Sequence, residues 1–246
     1  MPEMDILLRI LFISLLFFSP LALSGIEIDR TRMVYPAAKK EMSLVVTNNA
    51  TAPRLIQAWI DDGNPNADIS AASFPFMIVP PISRLAPGNG QRLRVLFLGP
   101  ALPQDRESVF WINILELQPK PSAKKQEVYD NVRFSIRSRL KLFYRPEGLP
   151  GSPQEAATAL RWRLAPFKEG YALECENPSA FNISFNDIRL HGKANPQDES
   201  IRGMCPAKGK KSFAVPFELH AGGGKITVTI INDYGGFEQR DTFYSV

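Results

Sequence analysis

The chain has 246 residues, a formal net charge of +4, 44% hydrophobic side chains, two cysteines and two histidines. That length suits two domains of about 110 residues behind a leader, each large enough for a core of its own. Scattered Lys and Arg without an aromatic-basic platform point away from nucleic acid, and two histidines leave little from which to build a metal centre.

The first 24 residues read as a leader. Arg9 precedes the apolar run Ile10–Phe18, and Pro20 and the small-residue site Ala22-Leu23-Ser24 stand before Gly25, the layout of a secretory signal. The run is short for a bilayer span, while acidic Glu3 and Asp5 keep an uncleaved anchor as the alternative. The exported chain is expected to begin at Gly25.

Runs rich in Val, Ile, Phe and Trp follow at Ile26–Tyr35, Met42–Thr47, Arg54–Ile60, Phe76–Val79, Arg92–Phe97 and Val109–Leu117, separated by turn residues such as Pro87-Gly88-Asn89-Gly90. With the stretch Val128–Arg145 they make seven strands, the signature of an immunoglobulin-like sandwich. In that last stretch the even positions carry Val128, Val132, Phe134, Ile136, Leu140, Leu142 and Tyr144, and the odd positions carry Arg133, Arg137, Arg139 and Lys141. This is period two, with one apolar and one cationic face. Eighteen residues at ~3.3 Å each would reach about 60 Å, far beyond a usual strand. Either one end projects past its own core, or a bulge divides the stretch into two strands; alternation alone leaves both open.

Arg145-Pro146-Glu147-Gly148-Leu149-Pro150-Gly151 breaks the pattern and marks the domain junction, giving domains at 25–147 and 148–246. Ser152-Pro153-Gln154-Glu155 is a capping box with Pro at the first helical position, so one helical turn is expected through Ala159. Strand-like runs at Leu160–Leu164, Tyr171–Cys175, Ile183–Leu190, Phe213–Leu219, Ile226–Ile231 and Thr242–Val246 predict a second, smaller sandwich. Cys175 and Cys205 both lie there, and export favours a disulfide over free thiols or a metal pair.

Signatures of catalysis are scarce. The chain has no G-x-S-x-G elbow and no H-E-x-x-H pair, and Gly222-Gly223-Gly224-Lys225 lacks the spacing of a phosphate loop. His191 and His220 each stand beside glycine and read as loop residues. Asn49-Ala50-Thr51 and Asn182-Ile183-Ser184 satisfy the glycosylation sequon, a frequent chance match.

Six local strings in order carry more information: Ile28-Asp29-Arg30-Thr31-Arg32-Met33-Val34-Tyr35-Pro36; Gln57-Ala58-Trp59-Ile60; Pro80-Pro81-Ile82-Ser83-Arg84-Leu85; Leu102-Pro103-Gln104-Asp105-Arg106-Glu107-Ser108-Val109-Phe110-Trp111; Lys141-Leu142-Phe143-Tyr144-Arg145-Pro146; and Ile231-Asn232-Asp233-Tyr234-Gly235-Gly236. Together they closely resemble the periplasmic pilus (fimbrial) chaperones of bacterial chaperone-usher pathways, across essentially the whole exported chain.

The resemblance implies two immunoglobulin-like β-sandwich domains set at an angle with a cleft between them, in an all-β periplasmic protein without cofactor or enzymatic activity. It implies that Arg32 and Lys141 anchor the C-terminal carboxylate of an unfolded pilus subunit. Val132, Phe134 and Ile136 would complete the subunit's fold as a donated strand, and Glu107, Arg145 and Asp233 would form an interdomain ion network. Its partners would be pilus subunits and an outer-membrane usher, with self-association covering the donor strand in the free protein. The segment Gln118–Glu127 is of intermediate length, and the cysteines lie outside it, which fits the shorter-loop members better. Two rivals remain at this point: a secreted immunoglobulin-like adhesive or structural subunit, and a hydrolase on a sandwich scaffold.

Overall fold

The computed structural model describes residues 25–66, 74–118, 134–168, 170–191, 200–215 and 222–246. The expected leader, most of the Gln118–Glu127 loop and Val132 lie outside them. The first domain contains β1 (Ile26–Ile28), β2 (Arg32–Pro36), β3 (Glu41–Asn48), β4 (Arg54–Asp61), β5 (Phe76–Val79), β6 (Ile82–Leu85), β7 (Gly90–Phe97), β8 (Ser108–Leu117) and β9 (Ile136–Arg145). They form a four-stranded sheet in the order β1-β3-β7-β5 and a five-stranded sheet in the order β2-β9-β8-β4-β6.

The expected strand Ile26–Tyr35 is therefore two strands in different sheets. Asp29 still donates its N–H to Val45 O on β3, and the chain then crosses to pair alongside β9. The core-facing positions change phase at the crossing, from Ile26 and Ile28 to Met33 and Tyr35, a break that the reading of one continuous strand passed over. Residues Ile82–Leu85, following Pro80-Pro81, add a short strand that the pattern did not assign.

Between the sheets, alternate residues of each strand close the core. Leu44 and Val46, Leu93 and Val95, Ile112 and Ile114, and Leu140 and Leu142 are all buried. At the end of the sandwich nearest the junction the packing is aromatic. Phe76 lies 5.2 Å from both Phe97 and Phe110 between ring centres, and Phe97 lies 4.8 Å from Tyr144.

After β9 a turn leads into α1 (Pro153–Thr158), where the Ser152 hydroxyl accepts the Glu155 N–H at 3.2 Å and caps the first turn. The second domain continues with β10 (Arg161–Phe167), β11 (Gly170–Asn177), β12 (Ile183–Leu190), β13 (Ile201–Cys205), β14 (Gly209–Ala214), β15 (Gly224–Ile231) and β16 (Phe237–Ser245). Its strands form one ladder in the order β13-β12-β15-β16-β10-β11-β14. The ladder bends at the short parallel contact where Trp162 and Arg163 pair with Tyr244 and Ser245. The resulting layers enclose Trp162, Leu164, Phe185, Phe213, Ile226 and Val228. A Cys175–Cys205 disulfide ties β11 to β13 across this core, with 6.1 Å between Cα atoms.

Strand β13 was not expected, and β14 and β16 begin earlier than their apolar runs because Lys210-Lys211 and Glu238–Asp241 occupy exposed or half-buried strand positions. Among the described residues no helix is long and apolar enough to cross a membrane.

Candidate functional site

The parallel pairing of β2 with β9 sets Arg32 directly beside Lys141. Both side chains leave the first domain and reach the second. Arg32 is 8% exposed and donates from Nη1 to Ile231 O at 2.9 Å, while Lys141 Nζ donates to Ser184 Oγ at 2.9 Å. Ser184 and Ile231 are themselves cross-strand partners on β12 and β15, so one rung of the second domain receives both cations.

No carboxylate bonds either of these cations among the described residues, and the buried Arg32 Nε has no hydrogen-bond partner. Burial, reinforced by the like charge of Arg32, pushes the Lys141 ammonium down to about 8. Burial also lowers Arg32, with the negative charge of Asp233 working the other way. Among the described residues, these two desolvated cations are held by neutral oxygens, which leaves their charge under-neutralised.

Four residues further along the same strand the chemistry reverses. Arg145 donates from Nε to Glu107 Oε1 at 2.7 Å, and from Nη1 and Nη2 to the two oxygens of Asp233 at 2.7 and 3.0 Å. Glu107 is buried at the start of β8, and its other oxygen accepts the Asn182 backbone N–H at 2.8 Å from the second domain. Burial pushes the Glu107 carboxyl up, and the neighbouring guanidinium offsets part of that rise. The Arg145 guanidinium also lies over Phe181 at 5.3 Å. The loop Asn232–Gly236 presents Asp233. Asn232 Oδ1 accepts the N–H groups of Tyr234 and Gly236, and Gly235 adopts φ +87° in close contact with Thr31, where a side chain would collide. The three residues proposed as an interdomain network are thus together in space.

At the far end of β9 the apolar face outruns its core. Leu140 is 4% exposed, Ile136 is 58% and Phe134 is 71%. β8 pairs with β9 from Ile136 to Tyr144, but β2 covers the opposite edge only from Lys141 onward. Among the described residues, the edge from Ile136 to Leu140 has no neighbouring strand, so unpaired backbone groups lie beside exposed apolar side chains.

The opposite, cationic face of β9 is neutralised within the first domain. Asp61, 1% exposed, accepts Arg139 at 2.6 Å, Arg137 at 3.2 Å and Asn113 Nδ2 at 2.8 Å. Arg137 lies over Trp59 and Arg139 over Trp111, at 4.8 and 5.7 Å from the ring centres. This network clamps the base of the projecting strand and fixes which face its apolar residues present. Sequence reasoning missed Asp61 and Asn113 here, as it missed Ser184 and Ile231 in the cleft, because each depends on long-range register.

Residues 25–150 match the family described as "Pili and flagellar-assembly chaperone, PapD N-terminal domain", and residues 155–242 match "Pili assembly chaperone PapD, C-terminal domain". The chain belongs to the PapD-like pilus chaperones. Among these chaperones, the probable fimbrial chaperone YadV of Escherichia coli K12 is 34% identical over 228 residues, covering 92% of each chain. The crystal structure of the Pseudomonas aeruginosa CupB2 chaperone superposes with a TM-score of 0.71 at 34% identity, covering 89% of this chain and 100% of that one. A chain in the complex of the Salmonella enterica SafA pilin with the SafB chaperone matches at TM-score 0.71 and 25% identity, covering 92% of this chain and 99% of that one. The resemblance read from the six strings and the two-domain immunoglobulin-like architecture are both borne out.

Proposed function

We propose that this fimbrial chaperone works in the periplasm, taking up newly exported pilus subunits, completing their fold with β9 and passing them to an outer-membrane usher. The observation that carries the reading is that β9 joins an open apolar edge to Lys141, which its neighbour β2 pairs with Arg32 in an under-neutralised couple. A subunit's terminal carboxylate supplies the two acceptor atoms that the cations lack. The segment leading to that carboxylate would then lie along β9, adding backbone hydrogen bonds to the free edge while Ile136 and Phe134 enter the subunit's groove. Val132 would extend the same apolar row.

The carboxylate also sets register. A one-residue slip would turn Ser135 and Arg137 toward the groove in place of Phe134 and Ile136, so charge fixes position and apolar burial supplies affinity. Glu107, Arg145 and Asp233 would hold the interdomain angle that keeps Ser184 and Ile231 opposite the cations. The chemistry is binding and release, with no covalent bond made or broken.

Co-expression with candidate pilus subunits tests this reading. Wild type is expected to yield a one-to-one complex, while Arg32→Ala and Lys141→Ala are expected to fold and to yield none. Equal complex yields from all three proteins would overturn the anchor.

A further inference from the structure

Glu116 on β8 lies opposite Ile136, the first residue of β9. Its side chain is 9% exposed, and Arg54 Nε donates to Oε1 at 2.6 Å. Oε2 receives only the Ile26 N–H, at 3.3 Å. A carboxylate has room for about four donors, so this one is under-used. Gly25 stands against it. A methyl carbon added there would fall 2.8 Å from both Glu116 oxygens, a collision for carbon but the ordinary length of an N–H···O bond.

The position matters because the sequence places a leader-cleavage site between Ser24 and Gly25, and the family match begins at residue 25. Hydrolysis of that bond by an export-associated endopeptidase adds one water. Ser24 leaves with the carboxylate, and Gly25 keeps an amine that takes up a proton at neutral pH. Freed from the preceding residue, the Gly25 nitrogen turns about its Cα–C bond, and one staggered position is the direction in which the methyl carbon would point. The rest of the terminus is already held: Gly25 O accepts the Asn49 N–H at 2.9 Å, and Ile26 pairs with Asn48.

We propose that leader removal creates a Gly25 α-ammonium that docks on Glu116 and, with Arg54, completes an ion cluster at the base of β9. A chain still carrying its leader has an uncharged amide at this point and lacks the cluster. The projecting strand is thus braced after export. Its importance for subunit uptake rests on the donor-strand reading above, but the ion pair is testable apart from it.

Mass determination of the exported protein is expected to give Gly25 as the first residue. The Gly25 form is then compared with a form bearing one alanine before Gly25, each with Glu116 and with Glu116→Gln, by thermal unfolding from about pH 6 to about pH 10. The added residue is expected to lower the midpoint by ~2–4 °C at neutral pH with Glu116, and to have no effect with Glu116→Gln or once the amine is deprotonated. Should Glu116→Gln fail to fold because Arg54 loses its partner, amine acylation provides the second measurement. The α-amine of the native protein is expected to react at least about tenfold more slowly than that of the unfolded chain at the same pH. A different mature terminus, an unchanged midpoint on extension with Glu116 present, or an amine that reacts as in the unfolded chain would overturn the proposal. None of these outcomes touches the Arg32–Lys141 anchor, whose failure is read from subunit complexes alone.

Discussion

Arg145 and the Arg32–Lys141 couple sit at opposite ends of one parallel strand pair, and both reach from the first domain to the second. Arg145 meets two carboxylates in good geometry, whereas the couple meets a hydroxyl and a carbonyl. The difference separates a joint from the proposed receptor. A cation whose charge is already matched contributes stiffness, and one left desolvated without a counter-charge has unspent affinity for an anion.

The largest effect should come from breaking the joint. Arg145→Ala strands Glu107, whose side chain is 1% exposed, and removing one partner of a buried pair costs about 3–5 kcal/mol. Urea unfolding is expected to show that loss; a change near zero would mean the network does not join the domains. Next is the receptor. Lys141→Met should lose about 2–5 kcal/mol of subunit binding while leaving the thermal midpoint unchanged or raised, because it deletes a buried charge without a counter-ion. A fall in the midpoint comparable to that of Arg145→Ala would erase the distinction between the two sites.

Phe134→Ala should follow, weakening subunit binding by about 1.5–3 kcal/mol in titration calorimetry with little effect on the free protein's stability, since this ring has no core of its own. The smallest effect is pH dependence. Lys141 titrates at about 8 in the folded protein against an ordinary 10.5, so between those values the unfolded chain binds more protons. The free protein therefore gains stability as pH rises through this window, and bears the full cost of the buried charge below it. Carboxylate binding runs the other way, falling about fivefold from pH 8 to pH 9 as the ammonium is lost. Affinity that stays flat across that interval would remove Lys141 from the receptor.

Much of this comparison was legible in the sequence. Alternation from Phe134 to Tyr144 gave the face that leaves the core, and the Pro- and Gly-rich segment after Arg145 gave the turn between domains. Ser152 with Glu155 located α1 through local hydrogen bonding. The rest required register. Nothing near Ser184 or Ile231 shows that they share a rung, and nothing near Asp61 shows that Arg137 and Arg139 converge on it. Strand β13 escaped because Gly203 and Met204 interrupt its apolar alternation, and the first half of β16 escaped because charged residues fill it, leaving only the end from Thr242 legible. The roles proposed for Arg32 and Lys141 came from family likeness, since isolated cations near strand ends are ordinarily solvated.

The disulfide adds a dependence on the compartment in which the protein folds. Cys205 pairs across the ladder with Ile183, the residue before Ser184, so the cross-link fastens the backbone that supports the hydroxyl receiving Lys141. Thiol oxidation consolidates only the half of the molecule that lends the cleft its floor. The first domain has no cysteine, so the open edge of β9 and the floor of the cleft are secured by two separate chemistries.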